Sequence, residues 1–235
     1  MSGGAASGGM VGERRKVLPD GTTVLVRPVR PSDRQYLVSG FATLSPESKR
    51  TRFFTDDAEL DEEEIRYLTE VDQEDHVALA VFRDDVTPPR GVAVGRYVRD
   101  LDDPTSAELA ITVVDEEQGH GIGTMLVWEL AWIAVQRGIR RLVSYAMWEN
   151  DTMIDLLVDH GATTRPAEPG IARVELDVTP LAVAAGIEEA DGEEVSRRAP
   201  AGAASWRTSA GRPRGGGRRP GASSPEPTLP SLSPR

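Results

Sequence analysis

Six residues, Gln118-Gly119-His120-Gly121-Ile122-Gly123, carry the clearest chemical signal in the chain. Ahead of them, Glu108 to Val114 reads as an apolar strand; behind them, Thr124 to Arg137 reads as a long helix rich in Leu, Val, Trp, Ile and Ala. Glycines at a strand-to-helix turn let the backbone approach a ligand closely. The first N–H groups of the helix then face that ligand unpaired, at the positive end of the helix dipole. This is an anion site suited to phosphate oxygens. A P-loop is excluded because no Lys-Ser/Thr follows the glycines. A dinucleotide fingerprint fails because Thr124 stands at its third glycine and no clean β-α-β unit follows. The spacing Gln/Arg, two residues, Gly, one residue, Gly/Ala is met by Gln118, Gly121 and Gly123. The plainer alternative is a glycine turn that only caps a helix.

The elements that would hold this turn can be read along the chain. Val24–Arg27 follows the turn Pro19-Asp20-Gly21 as a first strand. Pro31-Ser32-Asp33 opens a helix toward Ala42, with Ser32 or Asp33 as its cap. Ser45-Pro46 begins a second helix, a cap followed by Pro at the first helical position. Asp61 to Glu64 places acid in the first turn of a third, which runs through Thr69. His76–Arg83 is a buried strand, and Gly91–Arg99 is its hairpin partner. The strand at 106–114, the glycine turn and the long helix ending at Gly138 come next. Arg141–Met147 is a central strand, Asn150 caps a helix that Gly161 ends, and Ile171–Val178 is a last strand. Trp128 and Trp132, four apart on one helix, are expected in the core. Tyr145 is assigned to core or cleft wall, Trp148 to core or substrate cleft, and His120 to solvent or a phosphate contact.

Composition narrows the chemistry. The 235 residues contain no cysteine, so disulfides, thiolate metal sites and a cysteine nucleophile are excluded. The three histidines, His76, His120 and His160, lack ligand spacing, and no metal is expected. No apolar run approaches the about 18 residues of a membrane span, and the Gly/Ser/Ala start is no secretory signal; a cytoplasmic protein is the simplest reading. The net charge of −11 divides into +7 over residues 196–235 and −18 over the rest. The acidic runs at 56–64 and 188–194 read as a solvated surface, or as a field that concentrates cationic substrates. The chain divides into a disordered segment at 1–15, one domain at 16–180 and a disordered Ala/Gly/Pro/Arg-rich tail at 181–235. Nucleic-acid contact by the tail's Arg-Pro-Arg-Gly-Gly-Gly-Arg-Arg stretch is the minor reading, and an extension without a task the major one.

The Gln118/Gly121/Gly123 pattern and the elements around it resemble the GNAT-type N-acetyltransferases. Val26-Arg-Pro-Val-Arg-Pro-Ser-Asp33 resembles the family's opening strand and turn. Leu44-Ser-Pro-Glu-Ser48, followed by Arg52-Phe-Phe54, is similar to the bacterial protein lysine acetyltransferase subgroup, as is Glu108 to Asp115. The resemblance implies an α/β GNAT fold, a mixed curved central β-sheet with helices on both faces and a V-shaped split between strands 4 and 5. It implies acetyl-CoA as cosubstrate, with the backbone of Ile111, Thr112 and Val113 along the pantetheine arm. Gln118, Gly119, His120, Gly121, Ile122, Gly123 and Thr124 would form the pyrophosphate loop, with Gln118 closing the turn. Asn150 would touch the CoA arm or act only as a helix cap.

Glu108 takes the place of the subgroup's general base. A lysine amine has a pKa of about 10.4, and its neutral form at pH 7 costs roughly 4–5 kcal/mol to reach. A carboxylate can take that proton directly or through a water; the alternative is a solvent-facing strand residue. Many family members carry a Tyr in the following helix as acid for the leaving thiolate; counting seven from Asn150 gives Leu157, which cannot donate. The acceptor is a protein lysine or a small amine. A different class, a non-catalytic acyl-CoA sensor, would keep the glycines and dispense with Glu108.

Overall fold

Val77 to Phe82 is an unbroken apolar run, and such a run needs cover on both faces. The computed structural model describes residues 12–55, 58–83 and 85–184, and in it this run is the buried heart of a sheet. Val77, Leu79 and Val81 point into one core, while Ala78, Ala80 and Phe82 point into another on the opposite face. The alternation is the two-residue period of a strand. Helices on both faces supply the rest of each core.

The strands are β1 (Arg14–Val17), β2 (Thr23–Pro28), β3 (His76–Arg83), β4 (Arg90–Arg99), β5 (Ser106–Val113), β6 (Arg141–Met147), β7 (Thr163–Glu168) and β8 (Ile171–Asp177). The helices are α1 (Arg34–Thr43), α2 (Pro46–Phe53), α3 (Glu62–Thr69), α4 (Ile122–Gln136), α5 (Asp151–Val158) and α6 (Thr179–Ala184). Among the described residues the strands form one sheet in the order β1-β2-β3-β4-β5-β6-β8-β7. Every neighbouring pair is antiparallel except β5–β6, which is parallel.

That parallel pair is short. Only Ser106, Ala107 and Glu108 find partners, in Arg141, Leu142 and Val143. Beyond Glu108 the two strands part, and β5 continues to Val113 paired with β4 alone. This is the expected V-shaped split between the fourth and fifth strands, counted from Thr23; β1 precedes them and shifts the labels by one.

Gly95 in β4 lets the long helix sit close. A Cβ there would lie 2.9 Å from Leu130 Cδ1 and 3.3 Å from Leu126 Cβ, both on α4. Leu126, Val127, Leu130, Ala131 and Ala134 seal this face of the sheet. On the other face, the Arg27 guanidinium binds Asp33 through two 2.7 Å hydrogen bonds, both side chains nearly buried, and stacks on Phe82. The bidentate fork locks the end of β2 to the start of α1.

Several sequence expectations are corrected. Asp33 holds the N-cap position of α1, as expected, but its side chain does not cap the helix: its carboxylate serves Arg27 and the Arg30 N–H, and residues 31–33 form a 3-10 turn before α1. Arg14 and Arg15, placed in the N-terminal segment, belong to β1, where Arg14 and Lys16 pair with Glu129 of α4. β7, with its mostly exposed pattern, carries no alternating apolar signal and was missed. Leu181 of α6 packs on the main core, beyond the expected end of the domain. Residues 185–235, including the Arg-rich stretch, lie outside the described residues.

Trp128 and Trp132 are 44% and 46% exposed, not core. Their spacing of four puts them on one helix face, but the core stripe is filled by the aliphatic residues named above. Trp128 instead lies edge-on to the His160 ring, with centroids 5.2 Å apart. Trp148 is 45% exposed at the end of β6.

Candidate active site

The glycine turn is held from behind by charge. Glu117, buried in the 3-10 turn Asp115–Glu117, accepts from Arg90 at 2.6 Å and from Arg83 at 3.3 Å. These arginines come from the ends of β4 and β3, so the turn is fastened to the sheet. Asp115 fastens it to α2: its carboxylate accepts the Ser45 N–H at 2.7 Å and the Ser48 hydroxyl. Ser45 caps α2 as expected, its hydroxyl accepting the Ser48 N–H at 3.1 Å. Gln118 donates to the Val113 carbonyl and to Asp115, each at 3.2 Å, which folds the turn back on β5.

Gly119 and Gly121 have φ of +77° and +87°, the left-handed region that residues with a Cβ rarely occupy. Gly121 is also crowded: a Cβ there would lie 3.0 Å from Pro19 Cδ. It is the N-cap of α4 and gives the helix no side-chain cap. The first helical bond runs from the Met125 N–H to the Gly121 carbonyl at 3.0 Å. The N–H groups of Ile122, Gly123 and Thr124 therefore have no acceptor inside the helix. Ile122 is buried by its side chain, and His120 is exposed on the outer rim.

One cleft of about 750 Å³ joins this turn to the parted strands. Its volume falls in the usual range for cofactor sites. Glu108 is at its inner end, and the β5 stretch with Ile111, Thr112 and Val113 runs along its floor to Gln118 and the glycines. The far wall is β6 and α5, with Tyr145, Asn150 and Leu156. Tyr145 is thus wall rather than core, 42% exposed. Leu157 is fully buried and faces the core, so the position reached by counting from Asn150 does not line the cleft. Asn150 Oδ1 accepts the Met153 N–H at 3.1 Å, as a helix cap does.

Asn150→Ala is expected to cost about 1 kcal/mol of stability, the usual worth of such a cap. Thermal unfolding with and without CoA separates its two roles. A cap alone lowers both midpoints equally; a contact with the CoA arm also shrinks the shift that CoA produces.

Glu108, Ala110 and Thr112 alternate onto the sheet face covered by α2 and α3, while Leu109 packs into the α4 core. Half-buried there, Glu108 is not a solvent-facing strand residue. It shares a small inner pocket with Arg52, Tyr67 and Arg96. Arg52 Nε donates to Thr112 Oγ1 at 3.1 Å. Arg96 is buried in β4, donating to the Leu68 carbonyl and contacting His76 Nε2 at 3.2 Å. Burial, and then the charge of Arg52, pushes Arg96 down to about 10. Burial likewise lowers Arg52, against the opposing pull of Glu108. Burial pushes His76 down to about 3, so it stays neutral in the working range. Burial also raises the Tyr67 hydroxyl, which stays protonated.

Arg52, Tyr67, Arg96, Asp115 and Glu117 are not among the site residues that the sequence pattern points to. Arg96 had a visible signal, a lone charge inside the apolar strand Val92-Ala-Val-Gly-Arg-Tyr-Val98. The others are brought in from separate elements by the fold.

A sheet that parts beside a carboxylate, with a phosphate-type turn opening a helix at the other end of the same cleft, suits a phosphate-bearing ligand whose far end lies beside that carboxylate. The chain belongs to the acetyltransferase (GNAT) family, whose model matches residues 41–162, just over half its length. The solved GNAT domain of S. lividans PAT is similar over 70% of this chain and 96% of that one, at 34% identity and a TM-score of 0.65. Acetyltransferase Pat of Mycolicibacterium smegmatis is 31% identical over 156 residues, which are 66% of this chain and 46% of that protein. The match therefore spans about half the length of that relative. Acetyltransferase PA5475 of Pseudomonas aeruginosa is 29% identical over 139 residues, 59% of this chain and 74% of that one. Among the described residues no helix is long and apolar enough to cross a membrane, and no group of three or more His, Asp or Glu could hold a metal ion.

Proposed function

We propose that this chain transfers the acetyl group of acetyl-CoA to a lysine side chain of a protein, by direct attack with Glu108 as general base. The observation that carries the reading is the position of Glu108. It is the last residue of β5 paired with β6, at the apex where the two strands part. The thioester would lie in the opening beyond it. The backbone of Ile111 to Val113, left without a β6 partner, would receive the pantetheine arm as an added strand. The N–H groups from Gly119 to Thr124 would hold the pyrophosphate, with Gln118 closing the loop and Asn150 near the arm.

The chemistry balances without a metal or redox partner. The lysine Nζ lone pair attacks the thioester carbonyl carbon. Its surplus proton passes to Glu108, directly or through one water. The tetrahedral adduct then expels the CoA sulfur as the C–S bond breaks, leaving an amide. A thiol with a pKa of about 8.5 is a workable leaving group near pH 8, so a donor from α5 is not required. The likeness to Pat proteins supports a protein lysine as acceptor.

The test is CoA release by the purified chain with acetyl-CoA and a pool of lysine peptides. Turnover of peptide supports the reading. Tight acetyl-CoA binding with no peptide turnover, but release with small amines, would reassign the acceptor. Binding with no turnover on any amine would make the protein a sensor.

A further inference from the structure

Two guanidiniums stand beside the base, a costly arrangement to fold. Arg96 pairs in register with Ala110 of β5, and Val98 with Glu108. Residues opposite one another across an antiparallel pair share a face, so Arg96 and Glu108 are diagonal neighbours on one side of the sheet, with Cα atoms roughly 7–8 Å apart and Cβ atoms somewhat closer. Arg52, from α2, reaches the same face at Thr112 and lines the same inner pocket. Arg96 has no carboxylate partner among the described residues; its contacts are a carbonyl and a neutral imidazole. A buried guanidinium without an anion destabilises a fold, so its presence next to a reacting centre asks for a reason.

We propose that Arg52 and Arg96 form a cationic wall that drives the proton off the incoming ammonium, so that the acceptor reacts as free base at lower pH than an isolated lysine would. The inference rests on the amine-acetylating reading of this site. The reactive state needs a neutral amine beside an ionised Glu108, one proton fewer than the resting pair of ammonium and carboxylate. Fixed positive charge favours that loss, as it does for a lysine beside another cation.

The other groups facing the wall, among the described residues, do not cancel it. His76 from β3 is neutral. Tyr67 from α3 is protonated. Glu64, at the pocket edge on α3, turns its carboxylate to the Asp61 N–H at 3.1 Å. Asp33, on the 3-10 turn, is held by Arg27. Glu108 balances one of the two cations, leaving the other as a net field.

The experiment compares the pH dependence of kcat, at saturating peptide so that it reports the bound amine, in the full chain, Arg96→Met and Arg96→Lys. The acidic limb should move up by about one pH unit in Arg96→Met, the size of one charge at this range in a half-buried site, and should return in Arg96→Lys. A rate lowered equally at every pH, with the limb unmoved, overturns the proposal. Arg96→Met should fold, because replacing a buried charge by an apolar chain of similar length is often neutral or stabilising. Should it not, Arg52→Gln carries the same prediction from a less buried position. A second readout needs no turnover: the 13C-labelled Glu108 carboxyl should titrate at higher pH in Arg96→Met than in wild type, and not in Arg96→Lys. If no peptide is acetylated, the acceptor assignment fails while this titration still decides the field. Equal titration in wild type and Arg96→Met refutes the field itself.

Discussion

Glu108→Gln should lower kcat by about 10²- to 10⁴-fold, the usual contribution of a positioned base, while acetyl-CoA binds nearly as before. The amide is the same size as the carboxylate and keeps an acceptor oxygen, but cannot take a proton at neutral pH. The split in the measurement follows from where Glu108 lies. It is at the inner end of the cleft, and the glycine turn that would grip the pyrophosphate is at the other. Single-turnover CoA release gives the rate, and calorimetry with CoA gives the affinity. Raising the pH should recover part of the loss, because more of the acceptor amine is then already neutral. A decrease under tenfold at pH 7, with unchanged affinity, would remove Glu108 from the proton path. A parallel collapse of CoA affinity and thermal stability would mean that the residue holds the fold.

Gly121→Val should raise the acetyl-CoA Kd by roughly 30- to 1,000-fold, about 2–4 kcal/mol at about 1.4 kcal/mol per tenfold. Two costs combine. A β-branched residue at φ +87° carries a left-handed penalty of about 1–2 kcal/mol. Its Cβ would also approach Pro19 Cδ at 3.0 Å, and overpacking of that kind costs about 1–3 kcal/mol. The loss should appear in binding more than in stability. The turn around Gly119 and His120 is exposed, so it can relax to negative φ, which re-aims the N–H groups ahead of Met125 and spoils the anion site. Isothermal titration with CoA, beside a thermal melt of the unliganded protein, measures both. A Kd within threefold of wild type would mean that those N–H groups do not hold the pyrophosphate. Gly119 makes the control: its φ is also positive, but a Cβ there meets nothing within 4 Å, so Gly119→Ala should weaken binding less.

The buried elements around the cleft were legible because their signals are local. An apolar run such as Val77–Phe82, a cap such as Ser45 before Pro46, and glycines at Gly138 and Gly161 act within a few residues of themselves. The strand-turn-helix order around Gln118 is local too, and so are the positive φ values that require Gly119 and Gly121. β1 and β7 escaped because each lies at an edge of the sheet, where half of a strand's backbone and most of its side chains meet solvent. Little apolar alternation is then needed, and little is written. Trp128 and Trp132 show a further limit. Spacing says that two side chains share a helix face; only packing says whether that face meets the sheet or the solvent.

The sequence alone determined the family, the strand-loop-helix that would cradle an anion, and the carboxylate at Glu108, because each is a short pattern of residue types along the chain. The tertiary structure decided the rest. It ended the β5–β6 pairing at Glu108, brought Arg52 and Arg96 to that residue from different elements, and fastened the glycine turn through Glu117 to Arg83 and Arg90. The reason is distance along the chain: Arg52 meets Thr112 across 60 residues and Glu117 meets Arg83 across 34. No local propensity encodes such a meeting. It follows only when the sheet has formed and its strands have set which side chains share a face.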